Sequence, residues 1–471
     1  MVIMNTCIDN NIFVGFIKLK PIYRRVNELL AAMIFHATVC LRKIAVDRAE
    51  MLAFHRVINN NRLKKEDIMK ALYNKTAQHV KEKHILAIQD TTEFNYNSMK
   101  DRVKGLGTVG NGTGTDVGFF VHPMIAVNAS DSSLIGLSAI SITNRLKSKA
   151  PNYQYLPIED KESYRWLDCS LTSKETLETA DMITHISDRE SDIYDLLYRV
   201  PDKKNHVLVR ASRNRNVYGS DKTLFEYVGS TEFKGSYKVM VSSKSTKEEK
   251  RTKHEAHLDV RFTTVEIEKP SKSPDKKAPD KIEMYALELK ENPISVREGE
   301  KPVYWLLLTT HKVETLEDAI RIAYWYVQRW HIEQLFRILK SQGLMVERSQ
   351  VENADAKIKL ALLAVEAAIQ IMQLTLGRNE ENTQPAEHVF SEDEIECLKN
   401  VQKTLEGKTE KQKNHFPIGS LRWASWCIGR LGGWKGYKSE SPAGPITMKV
   451  GMARFKNIYL GWSILKKVRT D

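Results

Sequence analysis

Two aspartates in this sequence each follow a short apolar run, and a glutamate lies further along the chain in a segment with helical periodicity. Asp90 comes shortly after ILAI, Asp188 comes shortly after MITHI, and Glu333 lies within residues 324–340. In an open α/β sheet, reactive groups gather at the carboxyl ends of strands, so the two aspartates can face each other there. A glutamate on a helix would add a third carboxylate from another rigid element.

Three carboxylates held in this way suit divalent metal ions. Mg²⁺ is a hard cation that takes a few carboxylate oxygens together with water and phosphate oxygens. Two such ions can activate an attacking oxygen and stabilise a leaving oxygen in a displacement at phosphorus. The pattern therefore predicts metal-assisted chemistry on a phosphate ester, with Asp90, Asp188 and Glu333 as the candidate metal ligands and catalytic groups.

Each carboxylate also has a simpler structural explanation. Asp188 can cap the helical segment that follows it, and Asp90 can form a turn through its own side chain. Glu333 lies four residues from both Arg329 and Arg337, and ion pairs at that spacing on a helix contribute only about 0.3–0.5 kcal/mol each. For any one residue alone the structural role is the simpler one, and only the three together favour a site.

The segment around Glu333, YWYVQRWHIEQLFRILK, concentrates cations on one side of a single predicted helix. At about 100° per residue, five polar residues fall within an arc of roughly 80°, and these are Tyr326, Arg329, Glu333, Arg337 and Lys340. One carboxylate among several cations is either a solvated ladder of ion pairs or half of a site that holds a phosphate backbone against metal ions.

The charge of the chain favours a polyanionic partner. The 471 residues include 72 Lys and Arg against 59 Asp and Glu, a formal net charge of +13, which favours nucleic acid. No strongly amphipathic basic segment at a terminus supports binding to a membrane surface. The apolar run at 360–376 contains a glutamate and two glutamines and is shorter than the roughly 20 residues of a membrane span, so we expect a buried helix there.

Cysteine usage and the first residues indicate the compartment. The five cysteines are scattered and form no CxxC pair, which is typical of a reducing cytoplasm and argues against a structural zinc. Asp9, Asn10 and Asn11 interrupt the apolar stretch that a signal peptide would need, which argues against export. We therefore expect a cytoplasmic protein.

The pattern of the sequence changes along the chain and predicts an α/β protein with helical flanks. Residues 1–82 are mainly helical in pattern, and residues 354–471 are helical again. Residues 83–353 contain short apolar runs typical of strands in one sheet. Between about 213 and 300, alternating strands and two lysine-rich loops indicate a β-rich insertion. We expect three domains with these boundaries, and the middle one carries the carboxylates.

A fixed spacing of four polar residues provides a resemblance to a known family. Tyr326, Arg329, Glu333 and Lys340 reproduce a Y-(2)-R-(3)-E-(6)-K signature, and the sequence resembles bacterial DDE transposases of the insertion-sequence-four family, the Tn-five-type transposases in particular. IQDTT and ISDRESDIY resemble the first and second catalytic aspartate motifs of that family. GSLRWASWCIGRLGG resembles its C-terminal domain, so the resemblance covers nearly the full chain.

The resemblance implies a fold, a reaction and partners. The fold is a ribonuclease-H-like mixed-sheet catalytic core with a β insertion, flanked by an N-terminal helical DNA-recognition domain and a C-terminal helical dimerisation domain. The reaction is cut-and-paste DNA transposition by metal-dependent nicking, hairpin formation and opening, and strand transfer. Two Mg²⁺ ions per active site would be bound by Asp90, Asp188 and Glu333, and Mn²⁺ would substitute. The partners are double-stranded DNA, as transposon ends and target, and a second copy of the chain, in association with a bacterial nucleoid.

The resemblance also implies a set of DNA-binding residues, which are Tyr326, Arg329, Lys340, Trp305, Arg210 and Arg337. The first three would grip the phosphates of the transposon end. Trp305 would stack on a base flipped out of the duplex, although a core aromatic beside LLL is an equal alternative. Arg210 and Arg337 match basic positions of the family less distinctively.

Two other classes of function are also compatible with the sequence. A catalytically silent or inhibitory DNA-binding copy is favoured by residues 1–25, which lack the Gly-Asp-Arg-rich beginning of the family. A ribonuclease-H-like nuclease that only hydrolyses DNA would share the carboxylates, but it does not require the phosphate-gripping set. The formation of hairpin products would distinguish transposition from hydrolysis.

Cut-and-paste movement must process two transposon ends, so we expect two chains to be coupled. The resemblance of residues 418–432 to the C-terminal domain of the family implies that the contact lies there. Trp423, Trp426, Ile428 and Leu431 could form its apolar face, and at helical spacing they could equally be internal core.

Overall fold

A mixed sheet runs through the structure, a computed structural model that describes residues 12–110, 115–146, 152–241, 243–245, 250–341, 343–378, 382–437, 440 and 442–470. Within that part of the chain, eleven strands form this sheet and two more form a small ribbon. The strands are β1 His84–Gln89, β2 Thr92–Asn95, β3 Gly107–Thr108, β4 Val117–Asn128, β5 Leu134–Thr143, β6 Met182–Ser187, β7 Asn205–Arg210, β8 Gly235–Val241, β9 Lys244–Ser245, β10 Lys250–Arg251, β11 His254–Glu268, β12 Lys281–Glu291 and β13 Tyr304–Thr309.

Helices lie before the sheet in the sequence, between its strands and after it. The helices are α1 Lys20–His36, α2 Leu41–Ile44, α3 Arg48–Ile58, α4 Lys65–Ala77, α5 Tyr164–Thr176, α6 Tyr194–Arg199, α7 Leu224–Gly229, α8 Leu316–Val327, α9 Trp330–Lys340, α10 Ala354–Leu376, α11 Glu392–Leu405, α12 Leu421–Leu431 and α13 Pro445–Thr470. Both flanks are therefore helical, as the sequence predicted.

The strand order identifies the type of sheet. The strands β5, β4, β1, β6 and β7 lie side by side, with β4 antiparallel to both β5 and β1. β1 is parallel to β6, and β6 is parallel to β7. Three antiparallel strands continued by two parallel strands form the ribonuclease-H-like arrangement, which confirms the predicted fold. β1 is buried along almost its whole length, which is why its sequence is a continuous apolar run and not an alternating one.

The predicted β-rich insertion is present, and its strands extend the core sheet. β13 pairs with β7 on one side and with β12 on the other, and β11 and β8 continue the order outwards. A single sheet thus includes both the ribonuclease-H-like strands and those of the insertion.

The helix that follows β13 differs from the single helix predicted over residues 324–340. It consists of α8 and α9, which are joined at Gln328 and Arg329. At the joint, Arg329 and His331 donate their backbone N–H groups to carbonyls three residues back, at 3.1 and 3.0 Å. The ring Nδ1 of His331 also lies 2.8 Å from the Gln328 carbonyl oxygen. This tighter turn breaks the even 100° spacing, so Tyr326 is buried and does not share the exposed stripe of α9.

The C-terminal helices pack into the same apolar core as the N-terminal helices and one face of the sheet. In the described part of the chain, one helix, α10, is long and apolar enough to cross a membrane, and 94% of its apolar window is buried inside the protein. The buried helix predicted from the run at 360–376 is therefore confirmed. Trp423 and Ile428 of α12 are fully buried, so the internal-core alternative is correct for them and a dimer face made of these side chains is not.

Candidate active site

Asp90 lies where the chain leaves β1 and before it enters β2, and both of these strands pair with β4. Its Oδ1 accepts a hydrogen bond from the Thr91 backbone N–H at 2.7 Å. This contact is with the next residue and not with the residue two positions on, as the predicted side-chain turn requires, so the contacts of Asp90 in the described part of the chain do not include that turn. Only 20% of the side chain is exposed, which places this carboxylate at the edge of the core.

Asp188 occupies the matching position on the neighbouring parallel strand. The register pairs Ile88 of β1 with Ile186 of β6, so Asp90 and Asp188 each lie two residues beyond a paired isoleucine. Asp188 also caps the short 3₁₀ turn Arg189–Ser191 by accepting from the Glu190 N–H at 3.0 Å. The capping role predicted for Asp188 and its location beside Asp90 are therefore both correct.

Arg329 connects the strand end to the glutamate of α9. Its Nη1 donates to Asp90 Oδ2 at 2.8 Å, and its Nη2 donates to Glu333 Oε1 at 2.5 Å. The guanidinium is 19% exposed and Glu333 is 47% exposed. The structure thus brings Asp90 and Glu333 together, although 239 positions separate Asp90 from Arg329.

The charges at this site act strongly on one another. Burial and the like charge of Asp188 raise the pKa of Asp90 to about 6, while Arg329 acts in the opposite direction. Burial acts to lower the pKa of Arg329, but Tyr326 and the carboxylates of Asp90, Glu333 and Asp188 outweigh it and raise that pKa. All three predicted catalytic carboxylates therefore lie within electrostatic reach of one guanidinium.

The donor set suits a divalent cation, although the side chains do not form a finished metal site. Among the residues that the structure describes, no three His, Cys, Asp or Glu side chains stand close enough together to hold a metal ion. Burial and, after it, the like charge of Asp188 raise the pKa of Asp90, and a nearby cation acts in the opposite direction on such a carboxylate. Oxygen ligands of this kind are those that Mg²⁺ prefers.

Tyr326, Trp305 and Arg210 form a packed group behind the carboxylates. Tyr326 is 5% exposed, and its ring meets the Trp305 ring edge to face at 5.6 Å between centroids. Arg210 donates from Nη2 to the Tyr304 carbonyl oxygen at 2.7 Å. Burial raises the pKa of Tyr326 and outweighs the charge of Arg210, which acts to lower that pKa. Trp305 packs against the core and stays partly exposed, so both the core role and base stacking remain predictions for it.

The other cations of α9 lie away from this group. Arg337 is exposed and Lys340 is half-buried. Across the described ranges of the chain, Glu333 forms an ion pair with Arg329 and not with Arg337. The ladder of ion pairs predicted as the structural alternative is therefore only half formed, which leaves Arg337 and Lys340 as candidates for phosphate contacts.

Sequence reasoning missed a group of polar residues that contact Thr91, the residue after Asp90. Arg165 of α5 donates from Nε to the Thr91 hydroxyl oxygen at 3.0 Å, and its Nη2 lies 3.5 Å from Glu190. The Thr91 hydroxyl lies 2.7 Å from Nδ1 of the buried His122. The sequence signal for this group was that Thr91 follows Asp90 and that Glu190 lies two residues after Asp188. No spacing rule predicted Arg165 or His122.

Part of the chain that contains candidate site residues matches the model of a known protein domain. Residues 172–368 match the family model described as a transposase DDE domain. That range contains Asp188, Glu333 and all of α8 and α9, and Asp90 lies before it. The match supports a DDE transposase, without distinguishing between groups of such enzymes.

Among the solved structures that are similar to this chain is a transposase complex. It is a cryo-EM structure of a piggyBac transposase synaptic complex with hairpin DNA, with a TM-score of 0.39 and 8% sequence identity, and the similarity covers 95% of this chain and 73% of that chain.

Proposed function

We propose that this chain is a transposase of the insertion-sequence-four family, of the Tn-five type, which moves DNA by cut-and-paste transposition. The match to the transposase DDE domain supports the general class. The spacing of Tyr326, Arg329, Glu333 and Lys340 supports the more specific assignment. The steps we propose are nicking at transposon ends, hairpin formation and opening, and strand transfer into target DNA.

The placement of the three carboxylates around the Arg329 guanidinium carries this proposal. Asp90 and Asp188 end neighbouring parallel strands at the same register. Glu333 reaches them through the guanidinium of Arg329. A ladder of solvated ion pairs would lie on the helix surface and would not need a largely buried arginine between a strand end and a helix. The position of Arg329 therefore favours a functional site.

We propose that Asp90, Asp188 and Glu333 hold divalent metal ions, with Mg²⁺ as the ion in use. When bound, the ions activate the attacking oxygen and stabilise the leaving oxygen of an in-line displacement at phosphorus. The chain itself holds its carboxylates on rigid elements and neutralises part of their charge with Arg329. Lys340 and Arg337, on the same helix as Glu333, hold the phosphate backbone.

The test is a nicking assay with duplex DNA that carries the inverted repeats flanking the coding sequence. Glu333→Gln should lower the nicking rate by at least about 100-fold in Mg²⁺, because it removes the charge of a metal ligand. Binding to the same duplex should change little. Glu396→Gln is a matched control, because Glu396 is also a half-exposed helical glutamate in an ion pair, with Lys466 at 2.8 Å.

Nicking by Glu333→Gln at the rate of the unaltered protein would show that the carboxylate assignment is wrong. Equal loss in Glu396→Gln would show that the assay reports stability and not chemistry. Product analysis separates the remaining classes of function. Hairpin ends on the donor DNA support transposition, whereas open ends alone support a hydrolytic nuclease. A protein that binds the ends without cutting them would be a silent copy.

A further inference from the structure

A chain of hydrogen bonds runs from the interior of the protein to the edge of the candidate site. It begins at Ser170 in α5, passes through Gln89 and His122, and reaches Thr91 and the Arg165 guanidinium. Gln89 and Ser170 are fully buried and His122 is 1% exposed. Buried polar groups are costly unless every one of them is hydrogen-bonded. Each group in this network must therefore act as a defined donor or acceptor toward its neighbour.

The direction can be followed from the buried end. The Ser170 hydroxyl donates to the Trp166 carbonyl oxygen at 2.9 Å, so the Ser170 oxygen is left to accept. Gln89 Nε2 donates to it at 2.9 Å, which turns Gln89 Oε1 toward His122 Nε2, also at 2.9 Å. An amide oxygen can only accept, so His122 carries its proton on Nε2.

The state of His122 then determines the orientation of the Thr91 hydroxyl. Burial and the nearby Arg165 charge hold the pKa of His122 well below its usual value, so the imidazole is neutral and its Nδ1 is an acceptor. Thr91 must donate its hydroxyl proton to Nδ1. The Thr91 oxygen thereby presents its lone pairs to Arg165 Nε–H at 3.0 Å.

Arg165 is thus fixed at one end and directed toward the site at the other. Its Nη1 donates to the Glu162 carbonyl oxygen at 3.1 Å. Its Nη2 lies 3.5 Å from Glu190, which is longer than a strong charge-assisted hydrogen bond. Glu190 is one of the charges that act on Asp90, so the less firmly bonded end of the guanidinium lies beside a carboxylate that is within electrostatic reach of Asp90.

We propose that Arg165 binds a phosphate of the DNA beside the three carboxylates, and that His122 is a positioning residue that holds Arg165 in place through the Thr91 hydroxyl. The inference rests on the proposed function, because that function brings a phosphate to this edge of the sheet. His122 touches neither the DNA nor a metal ion. Its role is to fix the proton on Thr91 so that the guanidinium has one orientation.

A double-mutant cycle tests the coupling. His122→Phe and Arg165→Met should each lower the nicking rate by about 10- to 100-fold, which is the effect of losing one hydrogen bond to a charged group. The double variant should be no slower than the slower single variant, because His122 acts through Arg165. Losses that multiply in the double variant would show that His122 has a merely structural role, and would overturn the inference.

The salt dependence of DNA binding gives a second readout that does not depend on nicking. Arg165→Met should reduce the slope of log K against log salt by about one unit, because one phosphate contact is lost, and His122→Phe should reduce it equally. An unchanged slope in either variant would overturn the proposal. If the unaltered protein binds DNA without nicking it, the proposed reaction fails, and the slopes still decide the roles of Arg165 and His122.

Variants at Thr91 keep the test decisive if His122→Phe does not fold. Thr91→Val removes the hydroxyl at nearly constant volume and should reproduce the effects of His122→Phe, while Thr91→Ser should restore the nicking rate and the salt slope. Thr375→Val is a matched control, because the Thr375 hydroxyl donates to a carbonyl oxygen one helical turn earlier in α10. Loss in Thr91→Ser equal to that in Thr91→Val would contradict the inference.

Discussion

Arg329 is the residue on which the electrostatics of the site depend. It places one cation between two carboxylates, and a third carboxylate lies within electrostatic reach. Partly buried charges interact much more strongly than exposed ones. The pairing of β1 with β6 places Asp90 near Asp188, and the charge of Arg329 offsets part of the effect of burial and of Asp188, which together raise the pKa of Asp90.

The raised pKa of Asp90 predicts a pH-dependent effect of Asp90→Asn. The folded protein binds the Asp90 proton more tightly than the unfolded chain does, so this contribution to stability is complete below the ordinary pKa of 3.8 and is lost as the pH rises through about 6. The neutral asparagine should therefore raise the free energy of unfolding at pH 8 by on the order of 2 kcal/mol. Urea unfolding in the presence of a chelator measures this difference.

The same comparison at lower pH provides the control for that prediction. Between pH 7 and pH 4 the stabilising effect of Asp90→Asn should shrink toward zero, because Asp90 itself becomes protonated. A gain in stability that is independent of pH, or a loss of stability at pH 8, would contradict the raised pKa.

At the level of residues, the sequence predicted what local spacing can encode. Asp90 and Asp188 were found because each follows a strand, and Glu333 because the spacing of its neighbours resembles a family signature. Arg165 and His122 could not be found in this way, because their relation to Asp90 arises only when α5 and β4 pack beside β1. The bridge from Arg329 to Asp90 was missed for the same reason, since it joins residues far apart in the chain.

At the level of elements, the sheet is the feature that positions the site. β13 joins the ribonuclease-H-like strands to those of the insertion, because it pairs with β7 and β12. Leu287 of β12 and Leu307 of β13 are fully buried and directly paired. The insertion and the catalytic strands therefore share backbone hydrogen bonds and side-chain packing.

This continuity predicts cooperative unfolding of the insertion with the core. Leu287→Ala in the insertion and Leu307→Ala in the core should each lower the free energy of unfolding by about 2–5 kcal/mol. In both variants, circular dichroism and tryptophan fluorescence should report the same shifted transition. If Leu287→Ala created a separate early transition and left the main one in place, the insertion would be an independent unit.

The elements that were predicted incompletely are those determined by their neighbours. The strands of the insertion alternate in polarity, and that pattern gives no information about which strand lies beside them. The joint between α8 and α9 was missed because hydrogen bonds around Gln328 tighten one turn within an otherwise helical pattern. Continuous apolar runs such as those of β1 and α10 were predicted correctly, because burial on all sides determines their composition.

At the level of the whole molecule, the helical flanks and the sheet share apolar packing. The core that includes α1, α10 and α12 also includes residues of β1 and β4. Trp423 is fully buried in α12, and its Nε1 donates to Gln402 of α11 at 2.6 Å. Trp423 and Ile428 thus belong to the internal core, so a contact between two chains would use other side chains.

Substitution of Trp423 should therefore affect stability before it affects association. Trp423→Ala should lower the free energy of unfolding by about 3–5 kcal/mol, as measured by denaturant titration. Sedimentation of the folded variant should match that of the unaltered protein. If the variant had normal stability and altered association, the result would instead support the dimer interface predicted from the sequence.

We propose that Asp90, Asp188 and Glu333 act together as one metal-dependent site, and iron-directed cleavage of the protein can test this claim without a DNA substrate. Fe²⁺ substituted for Mg²⁺ in the presence of ascorbate and peroxide cuts the main chain close to the bound ion. We predict cuts next to all three carboxylates, which Mg²⁺ suppresses by competition and which Asp188→Asn abolishes. Cuts only at other positions, or an unchanged pattern in Asp188→Asn, would contradict the claim.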